Sequence, residues 1–139
     1  MVGIVLGGLG KGKTSTLIDR ANDAISKVKG TIVYLDTGTK HMFELNNQIR
    51  LINVREYPII DFDVFVGFIC GILSQDHDLE ELYCDKYLNA AVITDNVSLI
   101  RSIHRLEELS EKYQVNFILG VMDTGDFPEE LQKNVIIAL

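Results

Sequence analysis

Hydrophobic residues follow two rhythms along this chain. Val2-Gly3-Ile4-Val5-Leu6, Thr31-Ile32-Val33-Tyr34-Leu35 and Val115-Asn116-Phe117-Ile118-Leu119-Gly120-Val121 are nearly continuous apolar runs. Such runs predict strands buried on both faces, as in a parallel sheet. Between the first two, Leu17, Ala21, Ala24, Ile25 and Val28 recur at helical spacing and form one apolar stripe. Gly30 is expected to end that helix as a left-handed cap. Strand, helix, strand at the start of the chain implies a right-handed crossover between parallel strands.

Further along, Asp36 closes the second strand, and Thr37-Gly38-Thr39 reads as a turn. Residues 40 to 49 fit a short strand or a helical turn equally well, with Asn46-Asn47 as a turn before Arg50-Leu51-Ile52-Asn53-Val54, a further strand. Pro58 punctuates the next loop. Asp61 to Leu73 reads as a largely buried helix despite its glycines. Leu79-Glu80-Glu81-Leu82-Tyr83-Cys84 is strand-like and runs into Asp85. Ala90-Ala91-Val92-Ile93 reads as a short strand or a packed loop. Asp95 or Asn96 can cap the next helix, whose apolar face carries Leu99, Ile103, Leu106, Leu109 and Tyr113. Arg101, Arg105, Glu107, Glu108, Glu111 and Lys112 form its solvated side. Pro128 stands near the start of a short helix, and Val135-Ile136-Ile137-Ala138-Leu139 reads as an edge strand. The expected fold is an α/β three-layer sandwich around a mostly parallel sheet. It forms one domain over residues 1–139, which is long enough for a substantial core.

Composition narrows the class. Hydrophobic residues make up 47% and charged residues 24%, which is ordinary for a globular protein. A net charge of −7 argues against a general nucleic-acid surface, which needs clustered Lys and Arg. Cys70 and Cys84 lie in apolar surroundings without metal-type spacing, and fit free thiols in a reducing compartment. His41, His77 and His104 are scattered and receive no metal role. The longest apolar run, Val64 to Leu73, is too short to span a bilayer and is expected to pack inside the core. No signal or transit peptide is expected ahead of the first strand. A cytoplasmic location is expected.

One short stretch carries readable chemistry. Gly7-Gly8-Leu9-Gly10-Lys11-Gly12-Lys13-Thr14 fits the phosphate-loop pattern G-x-x-x-x-G-K-[ST] at every fixed position. It lies between an apolar strand and a helical pattern. Glycines let such a loop curl around a phosphate, and the helix N-terminus turns N–H groups and partial positive charge toward it. The loop positions Gly8, Leu9, Gly10, Lys11, Gly12, Lys13, Thr14 and Ser15 are the candidate nucleotide contacts. Lys13 would reach the β- and γ-phosphates, Thr14 would hold Mg²⁺, and Ser15 would approach the α-phosphate. A chance match in a chain of this length is on the order of half a percent. The bland alternative is a glycine-rich turn with solvated lysines, and Lys11 by itself fits that description.

Such a loop needs a partner carboxylate on a neighbouring strand tip to help hold the metal. Asp85 is the first choice, since it follows a mostly apolar strand. Asp36 is the second, and Asp123 the third, with γ-phosphate sensing as its other role. Each also fits an ordinary strand-end turn. Hydrolysis further requires a group to orient water, and often an Arg. Many phosphate-loop ATPases have Glu directly after the strand-end acid, but here Lys86 stands there. Arg101 and Arg105 could serve only if a second subunit or partner brought them in. Weak or partner-stimulated turnover is therefore expected, with Lys13 and Asp85 as the catalytic candidates.

These residues resemble the phosphate-loop NTPases. The layout is also similar to a group of small bacterial ATP-binding proteins, sometimes labelled twitching-motility ATPases. The segments carrying that resemblance are Ile4-Val5-Leu6-Gly7 through Lys13-Thr14, Arg50-Leu51-Ile52-Asn53, Glu56-Tyr57, Gly67-Phe68-Ile69-Cys70-Gly71, the strand ending at Asp85, and Leu109-Ser110-Glu111-Lys112-Tyr113. The resemblance implies ATP binding and a Rossmann-like sandwich. Within that group the position after the strand-end acid is often small, and Lys86 departs from it. The leading expectation is a Mg²⁺-dependent ATPase. The alternatives are a nucleotide-responsive binding module without turnover, and a small-molecule or nucleotide kinase. The kinase ranks last because residues 56 to 100 contain no Arg for a lid. ATP is favoured over GTP, because no Asn-Lys-x-Asp guanine motif occurs. A protein partner or a second copy is compatible with the chain; nucleic-acid binding and membrane insertion are not expected.

Overall fold

Strands without polar interruptions can be buried on both faces only if helices cover both sides of the sheet. The computed structural model, which describes residues 1–139, has that arrangement. Six strands, β1 (Val2–Gly7), β2 (Thr31–Asp36), β3 (Arg50–Asn53), β4 (Leu79–Cys84), β5 (Asn116–Met122) and β6 (Val135–Ala138), form one sheet in the order β3-β2-β4-β5-β1-β6. Every pairing is parallel. Helices α1 (Lys13–Ala24), α2 (Phe62–Gln75), α3 (Tyr87–Ala90) and α4 (Asn96–Tyr113) connect them, with 3₁₀ turns at Val54–Glu56 and Glu129–Asn134.

Alternation along the strands splits the core in two. Val5, Ile32, Tyr34, Tyr83 and Ile118 pack with Leu17, Ile18 and Ala21 of α1. Ile4, Leu6, Val33, Leu35, Leu82, Phe117 and Leu119 pack on the other face with Phe65 and Ile69 of α2 and Leu99, Ile103 and Leu106 of α4. This division follows from handedness. The chain steps one way across the sheet through α1 and the opposite way through α2 and α4. Crossovers of a single hand must then lie on opposite faces.

Several expectations change. The first helix ends at Ala24, and Gly30 is not its left-handed cap. Glycine stands there because a Cβ would lie 1.8 Å from the Asp78 carbonyl oxygen, and its N–H donates to Glu80. Helix α2 is amphipathic and not largely buried: Phe65, Val66, Ile69 and Leu73 face the core, while Val64, Gly67 and Gly71 are exposed. Tyr113 lies off the buried stripe of α4, and Ser110 takes the interior place. Where two alternatives stood open, residues 90–93 take the loop, as the end of α3 and a turn, and residues 40–49 form turns and no strand. Asp95 is the cap of α4, accepting from the Ser98 N–H at 2.7 Å. No helix is long and apolar enough to cross a membrane.

Candidate functional site

The carboxyl ends of β2, β4, β5 and β1 bring Asp36, Asp85, Asp123 and the loop after Gly7 into one row along a sheet edge. In open parallel sheets this edge is where ligands bind. The loop bends through Gly10 and Gly12, with φ of 74° and 91°, a region that side chains strongly disfavour. Gly12 is the residue before α1 and offers no capping side chain. By contrast, α2 and α4 are capped by Asp61 and Asp95. The first N–H groups of a helix have no partner within it. Helix α1 therefore presents them at the loop, with no acid in its first turn.

Within the loop, the Lys11 N–H donates to the Gly8 carbonyl at 3.3 Å. Lys13 Nζ folds back across the loop and donates to the same carbonyl at 3.1 Å. Leu9, Lys11 and Ser15 are exposed, and Thr14 is half-buried. The Thr14 hydroxyl donates to Asp85 Oδ2 at 2.7 Å, although 71 residues separate them. The other Asp85 oxygen accepts from the Lys86 N–H at 2.9 Å. Lys86 itself has a left-handed backbone, at φ 51°. Asp85 is only 1% exposed, and the ion pairs of the molecule, His41–Glu44 and Arg50–Asp76, do not involve it.

A residue that was not expected in the site explains how Thr14 reaches Asp85. Strand β5 lies between β1 and β4, so α1 must approach Asp85 across it. Gly120 of β5 pairs with Val5 and carries no side chain. A Cβ there would meet Leu17 Cδ1 at 2.9 Å and Asp85 Oδ1 at 3.3 Å. The readable signal was a glycine inside an otherwise apolar strand, which often marks close approach.

The other candidates have distinct positions. Asp36 is 2% exposed and accepts from the Thr37 N–H at 2.7 Å. Asp123 is exposed; its N–H donates to the Gly7 carbonyl at 2.9 Å and its carboxylate accepts from Gly125 N–H. Arg101 and Arg105 are exposed and line a cleft of about 650 Å³ with Phe62, Asp63, Gly67 and Cys70. That cleft lies between α2 and α4, on the sheet face opposite α1. Lys86 is exposed at the position where a carboxylate was sought. Burial, and then the charges of Asp85 and Asp36, push the Cys84 thiol well above its ordinary pKa. Cys70 is half-buried, and both thiols are free. No group of three or more His, Cys, Asp or Glu side chains converges in the manner of a metal cage. No described protein family matches this chain, and no curated protein does either.

Proposed function

We propose that the chain is a phosphate-loop protein that binds ATP with Mg²⁺ and hydrolyses it slowly by itself. The observation that carries this reading is the 2.7 Å contact between Thr14 Oγ1 and Asp85 Oδ2 at the mouth of the glycine loop. A hydroxyl at a helix start and a buried acid without a basic partner are the oxygen donors Mg²⁺ uses alongside phosphates. Thr14 and Asp85 would hold the ion, which would offset charge on the β- and γ-phosphate oxygens. The uncapped amides at the start of α1, with the loop positions from Gly8 to Ser15, would cradle the phosphates. Lys13 would exchange the Gly8 carbonyl for phosphate oxygens. The two free thiols favour a reducing, cytoplasmic setting.

A nucleotide-responsive module without turnover is the second reading. The observation favouring it is Lys86, an exposed cation directly after the strand-end acid, with Arg101 and Arg105 on the far face of the sheet. Single-turnover hydrolysis of radiolabelled ATP separates the two. A slow, Mg²⁺-dependent rate abolished by Lys13→Ala supports the enzyme. ATP binding with no phosphate release supports the module. A release rate unchanged by Lys13→Ala would remove hydrolysis at this site.

A further inference from the structure

Asp36 has no role in the reading above, yet its position is informative. Leu35 lies opposite Cys84 in the register of β2 and β4, and the Asp85 N–H donates to the Leu35 carbonyl at 3.0 Å. The two acids that follow are thus neighbours on adjacent strands, which run about 4.8 Å apart. One pair earlier, Tyr34 and Tyr83 stack on the α1 side of the sheet. Alternation returns Asp36 to that side, and Asp85 stands there as well, in contact with Thr14.

Both carboxylates are nearly sealed from water, at 2% and 1% exposure, and neither has a Lys, Arg or His partner. Each has one oxygen held by the following backbone N–H. On that same side of the sheet the Tyr34 hydroxyl is fully buried and has no hydrogen-bond partner. Asp85 and Asp36 are the charged groups that bear on it most strongly. Buried charges are ordinarily paired or bound to metal, and a buried hydroxyl ordinarily has a partner. Two acids without a cationic partner and one orphaned hydroxyl on the same side of the sheet are groups that a hydrated cation would satisfy together.

We propose that Asp36 and Asp85, with Thr14, form a divalent-cation site that takes Mg²⁺ or Mn²⁺ before nucleotide arrives, with the Tyr34 hydroxyl anchoring a water of the ion. The proposal rests on Thr14 and Asp85 facing the metal, as in the reading above. It adds a second carboxylate and loading without nucleotide. Two carboxylates plus retained waters suit Mg²⁺, which sheds its waters reluctantly. Groups that hold an ion's waters typically contribute ten- to a hundredfold in affinity.

The test is a Mn²⁺ titration of the full chain without nucleotide, following free Mn²⁺ by its electron paramagnetic resonance signal. Wild type is expected to take up a single Mn²⁺ that Mg²⁺ displaces. Asp36→Asn should weaken uptake roughly tenfold or more, and Tyr34→Phe about tenfold. Tyr34→Phe keeps the ring stack, so it carries the test if Asp36→Asn does not fold. No uptake by folded wild type, or an unchanged affinity in both variants, overturns the proposal. ATP binding measured on the same samples separates it from the nucleotide reading. Mn²⁺ uptake without ATP binding keeps the cation site and removes the nucleotide site. Mn²⁺ that enters only with ATP and is indifferent to Asp36 does the reverse.

Discussion

Replacing Gly120 by Ala would set a methyl group 2.9 Å from Leu17 Cδ1 and 3.3 Å from Asp85 Oδ1. Leu17 is wholly buried, so its side chain has little room to retreat. Overfilling a packed core costs about 1–3 kcal/mol. Losing a glycine returns about 0.4–1 kcal/mol by restricting the unfolded chain. The net expectation is a destabilisation of about 0.5–2 kcal/mol, read from urea unfolding. Gly67→Ala is the control. Gly67 is exposed in α2 and a Cβ there meets nothing within 4 Å, so helix propensity alone should stabilise by about 0.5–1 kcal/mol. The same substitution thus changes sign between two sites. Gly120→Ala should also push Asp85 off Thr14 and weaken the Mg²⁺-dependent part of any nucleotide affinity. A Gly120→Ala protein as stable as wild type, with that affinity intact, would refute the idea that β5 keeps this space open for α1 and Asp85.

Other predictions concern groups around the same edge. Lys86→Gly relieves a left-handed backbone that costs a side chain about 1–2 kcal/mol, partly offset by glycine's extra unfolded freedom. It should therefore stabilise by up to about 1 kcal/mol in urea melts, while Lys86→Ala should gain nothing; equal effects would argue against relief. Under native conditions a thiol reagent should label Cys70 and spare Cys84 until the protein unfolds, because Cys84 is buried and its thiol pKa is raised. Rapid native labelling of Cys84 by mass spectrometry would contradict its placement. Asp95 has its pKa lowered by hydrogen bonds from Ser98, first the backbone N–H and then the hydroxyl. A depressed carboxylate stabilises fully above its unfolded value near pH 4, and that contribution fades as pH falls through the folded value. Asp95→Asn still caps the helix, so its unfolding midpoint should fall less than that of wild type on acidification below about pH 4. Parallel losses in both proteins would contradict this.

How much of this was legible depended on where the controlling interaction lay. Continuous apolar runs gave the buried strands, since burial on both faces leaves an unbroken pattern. The turn between β1 and α1 was legible because Gly10 and Gly12 meet a local requirement of its left-handed backbone. Asp85 was found as a strand-end acid, but the 2.7 Å contact that joins it to Thr14 depends on Gly120, far from both in the chain. Gly30 looked like a helix end because the close carbonyl of Asp78 is invisible to local pattern. Helix α2 looked largely buried because Val64, Phe68 and Ile72 are apolar, although this helix has solvent on its outer side. The proximity of Asp36 to Asp85 came only with strand order: β2 lies beside β4 because the chain leaves β3 and crosses back.

Isothermal titration of ATP into the full chain, with and without Mg²⁺, is the most direct test of a nucleotide site at the glycine loop. The account predicts saturable binding that Mg²⁺ strengthens, and that Lys13→Ala weakens roughly ten- to a hundredfold by removing a charge-assisted contact. Folded wild-type protein that yields no heat and no thermal stabilisation with ATP, in either condition, would contradict it.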